Sequence, residues 1–274
     1  MNVVVFGRRS NLSLALAKRI KSVTLFSTID IFDEAKLSKL FELKDIFIIM
    51  NQFQPACQLD NINNPQEYIN NSIMATAKIL SFCQNQSRNI RKIIYTSSSS
   101  VYGDNSSCRE TDTLRPESLH AALKISNERL VASFARKEKI PFVVTRIFNM
   151  FGGYDEFSII SKIIFAIKQK NELTLINHGA AIRDFIHIDD VASIYEEIIQ
   201  VDYSGYLNIG TGSGNSVKNI LSFVDKYGFH LKLHNINKLE IRTSIAENTT
   251  LKGLCKFDKF KTVEEFLLEE LSNE

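Results

Sequence analysis

The sequence predicts an α/β protein, a doubly wound parallel sheet with a smaller C-terminal α/β lobe. Three observations lead there. In the first half of the chain, short continuous apolar runs alternate with amphipathic stretches, as buried parallel strands alternate with the helices that cover both faces of their sheet. Beyond residue 152 the rhythm changes, and helices mix with short strands. Only four prolines and eleven glycines interrupt 274 residues, so long flexible linkers are not expected.

NVVVF (2–6) reads as the first buried strand and NLSLALAKRI (11–20) as the helix after it. VTLFS (23–27) is a second strand, EAKLSKLFEL (34–43) has apolar residues at helical spacing, and DIFIIM (45–50) is a third strand. QEYINNSIMATAKILSFCQ (66–84) carries a long helical pattern. RKIIYTS (91–97) and PFVVTRI (141–147) are strands that flank a second long helix, PESLHAALKISNERLVASFARK (116–137). In the second lobe, helices are expected at 158–169, 189–200, 217–227 and 263–271, and strands at 173–176 and 206–210. Right-handed crossovers wind such a sheet so that ligands meet the carboxyl ends of its strands.

The composition is 44% hydrophobic and 23% charged, as in a globular protein with a sizeable core. A net charge of +2 argues against nucleic acid or a membrane surface as partner. Met1 leads straight into NVVVF with no leader pattern, no run is long enough to span a bilayer, and the expected location is cytoplasmic. Cys57, Cys83, Cys108 and Cys255 have neither CxxC nor metal-ligand spacing and read as free thiols. His230 and His234 lack metal-partner spacing, and His187, alternating with Phe185 along a strand, reads as structural, so no metal is expected.

Three stretches carry chemistry. VVVFGRRSNLS (3–13) is a strand-turn-helix with Gly7 where a phosphate-binding loop needs its first glycine, and Ser10 and Ser13 where it usually has two more. A Cβ at Ser10 crowds a pyrophosphate, so a turn that binds nothing fits equally well. Ser10 or Asn11 is the expected N-cap. YTSSSSVYGD (95–104) follows a buried strand and puts hydroxyls at the carboxyl end of the sheet. SLHAALKIS (118–126) sets His120 and Lys124 one helical turn apart.

Together these stretches resemble an extended short-chain dehydrogenase/reductase of the NAD-dependent epimerase/dehydratase family, whose members mostly act on nucleotide-activated sugars. TSSSSVYG resembles the family's active-site serine strand, and PESLHAALKISNE its P-x-x-x-Y-x-x-S-K-x-x-x-E segment. TRIFNMFGG (145–153), AAIRDFIHIDDVA (180–192) and YLNIGTGSGNSVKNI (206–220) resemble the R-x-x-N-x-Y-G-P, R-D-F-x-x-V-x-D-V and Y-N-I-G-x-G-x-x-x-S-V blocks. The resemblance implies a Rossmann-like dinucleotide-binding domain over residues 1–152 plus about 184–212. The substrate lobe would then take about 153–183 plus 213–274.

The resemblance also assigns residues. Ser98 falls at the catalytic hydroxyl, Lys124 at the lysine that holds the nicotinamide ribose, and His120 where the family has its proton-transferring tyrosine. A cation that stabilises a phenolate disfavours an imidazolium, so Lys124 should keep His120 neutral. Three readings stay open: an altered acid/base with water relaying the proton, a group that only orients substrate, or a polar residue in a disused site. Gly7, Arg8, Arg9 and Ser10 fall on the cofactor phosphates, and Asp30 and Ile31 on the residues flanking adenine. VTLFS lacks the acidic residue NAD enzymes place after the second strand, and Arg8 and Arg9 suit a 2′-phosphate, which leans the cofactor toward NADP over NAD. A solvated basic turn explains the two arginines equally well.

Ser72 falls at a family asparagine, and Asn51 and Gln52 close the third strand, either lining the site or capping the strand. Asn149, Arg183 and, more loosely, Lys238 or Arg242 fall on the substrate diphosphate side. A salt bridge from Arg183 to Asp184 or Asp189 is the alternative. Ser99 and Ser100 stand where a dehydratase has an acidic pair, so a 4-ketoreductase or epimerase in glycan or polysaccharide precursor synthesis is favoured, with Ser99 toward substrate. A non-catalytic binding or regulatory protein is the other class. The family's dimers pair the helices at 66–86 and 116–138, which makes a homodimer the expectation.

Overall fold

The computed structural model describes residues 1–51, 64–257 and 259–272; Cys57 and Gln52 lie outside them. Along the chain come β1 (Asn2–Phe6), α1 (Asn11–Arg19), β2 (Val23–Phe26), α2 (Thr28–Ile31), α3 (Glu34–Ser38) and β3 (Ile46–Met50). They are followed by α4 (Pro65–Ile69), a π-helical turn at Asn70–Met74, α5 (Ala75–Asn85), β4 (Ile90–Ser98), β5 (Asn105–Cys108), α6 (Leu119–Glu138) and β6 (Phe142–Ile147). Next are β7 (Asn149–Phe151), α7 (Ile159–Gln169), β8 (Glu172–Ile176), β9 (Ile182–His187), α8 (Ile188–Gln200), β10 (Gly205–Ile209) and β11 (Gly214–Ser216). The chain closes with α9 (Val217–Lys226), β12 (Lys232–Ile236), β13 (Thr243–Ala246), α10 (Thr249–Leu254) and α11 (Val263–Ser272).

Six strands form the main sheet in the order β10-β6-β4-β3-β1-β2, and the β1–β2, β1–β3 and β3–β4 pairs are parallel. The jump from β3 across β1 to β2 on one side, and outward to β4 on the other, is the doubly wound order of the Rossmann-like class. Val4, Phe6, Ile46, Ile48 and Ile93 are fully buried, because the central strands are covered on both faces, whereas Thr24 on the edge strand β2 and Arg91 near the start of β4 stay exposed. Their core continues into Ile79 and Cys83 of α5 and Val131 and Ala135 of α6.

The chain divides into two compact units, and the division departs from the expected boundaries. One unit holds Met1–Val101, Pro116–Arg146 and Ala192–Leu207; the other holds Tyr102–Arg115, Ile147–Val191 and Asn208–Glu274. Tyr102–Arg115 leaves the first unit because β5 pairs with β13, in a sheet ordered β11-β9-β13-β5 with β7 on β9. The second unit has its own core, with Phe151, Ile160, Ile163, Ile220 and Leu267 buried together. There the His187 ring lies 5.2 Å from both Phe151 and Phe266, and a Cβ on Gly152 (φ +93°) would collide with its Nε2. Cys83 and Cys108 are buried free thiols, and Cys255 is buried as well. No described helix is long and apolar enough to cross a membrane, and no metal-binding cluster occurs among the described residues.

Candidate active site

β4 delivers the hydroxyl run. Thr96 and Ser97 are buried, and Tyr195 OH stands 2.6 Å from Thr96 Oγ1 and 2.6 Å from Thr145 Oγ1. Ser98 ends the strand partly exposed, its Oγ accepting from Ser100 N at 3.2 Å. Ser99 is 8% exposed, and the Ser100 hydroxyl is sealed without a hydrogen-bond partner.

α6 is started by Ser118, whose side chain accepts from Ala121 N at 3.2 Å, so His120 falls in the first turn and Lys124 one turn later. Lys124 is 8% exposed, donates from Nζ to Thr96 O at 2.7 Å and lies 5.2 Å from the centre of the Tyr95 ring. Burial pulls its pKa down to about 8, against the opposing pull of Glu128. His120 is partly buried, with Nδ1 3.2 Å from Tyr68 OH. Burial, followed by the Lys124 charge, pushes the imidazole down to about 3. The ring is therefore neutral near pH 7. Tyr68, on α4, is 2% exposed, and burial raises its phenol.

One turn past Lys124, Asn127 Nδ2 donates to Ser72 Oγ at 2.9 Å, so Ser72 ties the π-helical turn to α6. Glu128 then accepts from Ser97 Oγ at 2.5 Å and from Arg146 Nε and Nη2 at 3.1 and 2.8 Å. The sequence singles out none of Tyr68, Glu128 and Arg146 as a site residue: Tyr68 falls within a helical pattern, while Glu128 closes the K-x-x-x-E segment and Arg146 opens the R-x-x-N block without a role attached to either.

On the cofactor side, Gly7 takes φ +113°, the left-handed turn that position requires. Gly7 N and Arg8 N both donate to Phe26 O, at 2.8 and 2.9 Å. Ser10 occupies the N-cap of α1 without capping it, because its hydroxyl accepts from Asn51 Nδ2 at 3.0 Å, as Ser13 Oγ does at 2.8 Å. Asn51 thus neither caps its strand nor lies idle; it clamps the turn. Arg8 and Arg9 are exposed. β2 runs directly into α2 through Ser27, with no intervening helix. Asp30 closes a capping box with Ser27 and pairs with Lys36, which together hold its carboxyl well below the usual range. Ile31, the other residue expected to flank adenine, has its side chain in the core at 0% exposure, which leaves only its backbone for that role. A dinucleotide fits these residues at two places, the start of α1, which no side chain caps, and the Ser98–Lys124 end.

In the second unit, Asn149 is partly exposed on β7, opposite Phe185 of β9. Arg183 pairs neither with Asp184 nor with Asp189. Its Nη2 lies 3.4 Å from Glu240 Oε2, and Nη1 donates to Ile182 O and Arg242 O at 3.0 and 3.3 Å. Burial lowers its pKa, opposed by Glu240 and Asp104. Lys238 and Arg242 are exposed, and Asn177 clips the Lys238 backbone through both its N–H and its carbonyl. Asp184 is fully buried and accepts from Thr211 N, Thr211 Oγ1, Gly212 N and Ala246 N at 2.6–3.1 Å.

The pattern of the NAD dependent epimerase/dehydratase family matches residues 1–210. Protein CapI of Staphylococcus aureus is 30% identical over 190 residues, which cover 66% of this chain and 56% of that protein. The chain spans about half the length of the curated relatives it matches. Among solved structures, a UDP-N-acetylglucosamine 4-epimerase of Methanobrevibacter ruminantium in complex with UDP-N-acetylmuramic acid superposes with a TM-score of 0.85 at 25% identity, covering 99% of this chain and 97% of that one. A UDP-glucose 4-epimerase of Thermus thermophilus in complex with NAD gives 0.84 at 16% identity over 100% and 99% of the two chains, a likeness of fold.

Proposed function

The chain belongs to the NAD dependent epimerase/dehydratase family, and from that premise we propose that it is an NAD-dependent enzyme modifying a nucleotide-activated sugar, as a 4-ketoreductase or epimerase. One observation carries it: Lys124, buried and held on Thr96 O, stands one turn after His120 beside the strand that ends at Ser98. A bound nicotinamide supplies the hydride acceptor or donor. Lys124 then holds the ribose, Ser98 donates to the reacting sugar oxygen, and His120 orients that oxygen as a neutral imidazole. With a pKa of about 3 His120 is a poor base, which favours orientation over the altered acid/base role. Ser99, Asn149, Arg183 and either Lys238 or Arg242 serve the substrate, the cations its diphosphate.

NAD is the better assignment, since it is the dinucleotide named with the relatives' structures, and the lean toward NADP is given up. Arg8 and Arg9 are exposed and pair with no described acid, as a solvated turn requires. A homodimer through α4, α5 and α6 is supported by the exposure of Ile69, Met74, Leu119 and Leu130. A cytoplasmic place in polysaccharide precursor synthesis follows from the nucleotide-sugar substrate.

A second class, a binding protein without turnover, is favoured by the Gly7 and Arg8 amides that face Phe26 O instead of a phosphate. Denaturing the purified protein and assaying the released dinucleotide separates the two. Bound or bindable NAD, with turnover of a 4-keto or 4-hydroxy sugar nucleotide, supports the enzyme; no dinucleotide at any concentration excludes hydride chemistry.

A further inference from the structure

We propose that Tyr68 fixes His120 as the tautomer protonated at Nε2, so that the neutral ring serves as a hydrogen-bond donor to the substrate's carbonyl oxygen. Tyr68 OH and His120 Nδ1 are 3.2 Å apart, both in the first unit and on separate helices. A phenol is a stronger acid than the N–H of neutral imidazole, and an imidazole nitrogen accepts better than a phenol oxygen, so the O–H donates and Nδ1 accepts. The single ring proton then resides on Nε2, for which the described residues supply no partner.

Two further features keep the ring from taking a second proton. His120 lies in the first turn of α6, where the helix N-terminus disfavours a cation, and the Lys124 ammonium stands one turn on. The family's tyrosine both gives and takes a proton. A neutral Nε2–H polarises a carbonyl and has nothing with which to deprotonate a hydroxyl. The substrate class this favours is the keto sugar, and the direction is reduction: a bound reduced nicotinamide would give its hydride to the carbonyl carbon, leaving the oxidised cofactor, and water would give the proton to the oxygen that Nε2–H polarises. Tyr68 is accordingly a positioning residue, acting through His120. The proposal rests on the enzymatic reading above and narrows it.

The test uses the full chain labelled with 15N-histidine, with His120→Gln identifying the His120 signal. Long-range 1H–15N spectra over about pH 5 to 8 should show His120 neutral with its proton on Nε2, and Tyr68→Phe should spread that proton over both nitrogens. With a 4-keto sugar nucleotide, Tyr68→Phe should lower kcat about tenfold with KM within about twofold, and His120→Gln, which restores an N–H donor, should retain more kcat than His120→Ala. A proton on Nδ1 in the parent, or an unchanged tautomer in Tyr68→Phe, overturns the proposal. If the tautomer pattern holds but the parent reduces no keto-sugar nucleotide, the enzymatic reading falls and takes the donor role with it, while the Tyr68–His120 assignment stands.

Discussion

Arg146 and Glu128 form a two-pronged ion pair in the interior of the first unit, at 2.8 and 3.1 Å, with side-chain exposures of 3% and 1%. The Arg146 guanidinium also lies 4.7 Å from the Tyr206 ring centre, and Ser97 donates to the same carboxylate. The pair therefore ties α6, β4 and β6 together at the turn after Lys124. Removing one partner strands the other charge away from water. Arg146→Ala should cost about 3–5 kcal/mol in urea denaturation, and the double variant Glu128→Leu/Arg146→Met should recover most of it. Equal losses in the single and double variants would contradict this account.

Lys124 should trade stability for activity. Its pKa is lowered from 10.5 to about 8, so between those values the unfolded chain binds a proton that the native chain has released. Parent stability should rise as pH increases from about 8 toward 10.5, by up to roughly 3 kcal/mol from this group. Lys124→Met should remove that rise, be more stable than the parent near pH 7 by about 1–3 kcal/mol, and lose at least about 100-fold in kcat. A variant less stable than the parent at pH 7 would count against burial as the cause of the shift.

His120 should shape the acid limb. With its pKa lowered from 6.5 to about 3, the unfolded state takes up a proton in that window and the native state does not. Stability is lost as pH falls from about 6.5 toward 3, with a slope of up to about 1.4 kcal/mol per pH unit from this residue. His120→Gln should flatten that part of the curve, measured by thermal melts across the range, and leave the region above pH 7 unchanged. An identical acid limb in both proteins would mean that some other group sets it.

Asp184 should prove an anchor of the second unit. Its two oxygens accept four hydrogen bonds, three of them from backbone N–H groups. An asparagine keeps one acceptor and turns an amide toward two of the donors, so Asp184→Asn should destabilise by about 2–4 kcal/mol. Gly210→Ala attacks the same point from the other side, since its Cβ would lie 2.7 Å from Asp184 Oδ2 and 2.7 Å from Ala246 Cβ. Calorimetry of the two variants checks both.

Sequence pattern made the scaffold readable where burial is uniform. NVVVF and DIFIIM announce β1 and β3 through their continuous apolar runs, and the IIY of RKIIYTS marks β4, whose buried Lys92, Thr96 and Ser97 are each hydrogen-bonded. The i, i+4 spacing of His120 and Lys124 gave their shared helix turn. Contacts between residues far apart in the chain left no local trace. Tyr68 reaches His120 across 52 positions and Asn51 reaches Ser10 across 41, and neither pair has a spacing to recognise. Ile31 matched a motif in type, yet packing decided its place: it sits in the core with Phe26 and Leu37. The segment around β5 falls in the second unit for a similar reason, since four residues reading NSSC declare no partner strand until β13 arrives 135 positions later.

The π-helical turn at Asn70–Met74 carries one residue more than a regular turn would need. It therefore acts as a phase setter: α4 is rotated against α5 by the surplus residue, and Tyr68 lies on the near side of the offset. A single-residue deletion within 70–74 would swing α4 by roughly 100° about its axis and carry the phenol away from His120. Substituting the exposed Asn70 would do nothing of the kind. The meeting of these two side chains is thus encoded by residue count as well as by residue identity, and a search for relatives that share it has to track gaps in the helix along with the letters at positions 68 and 120.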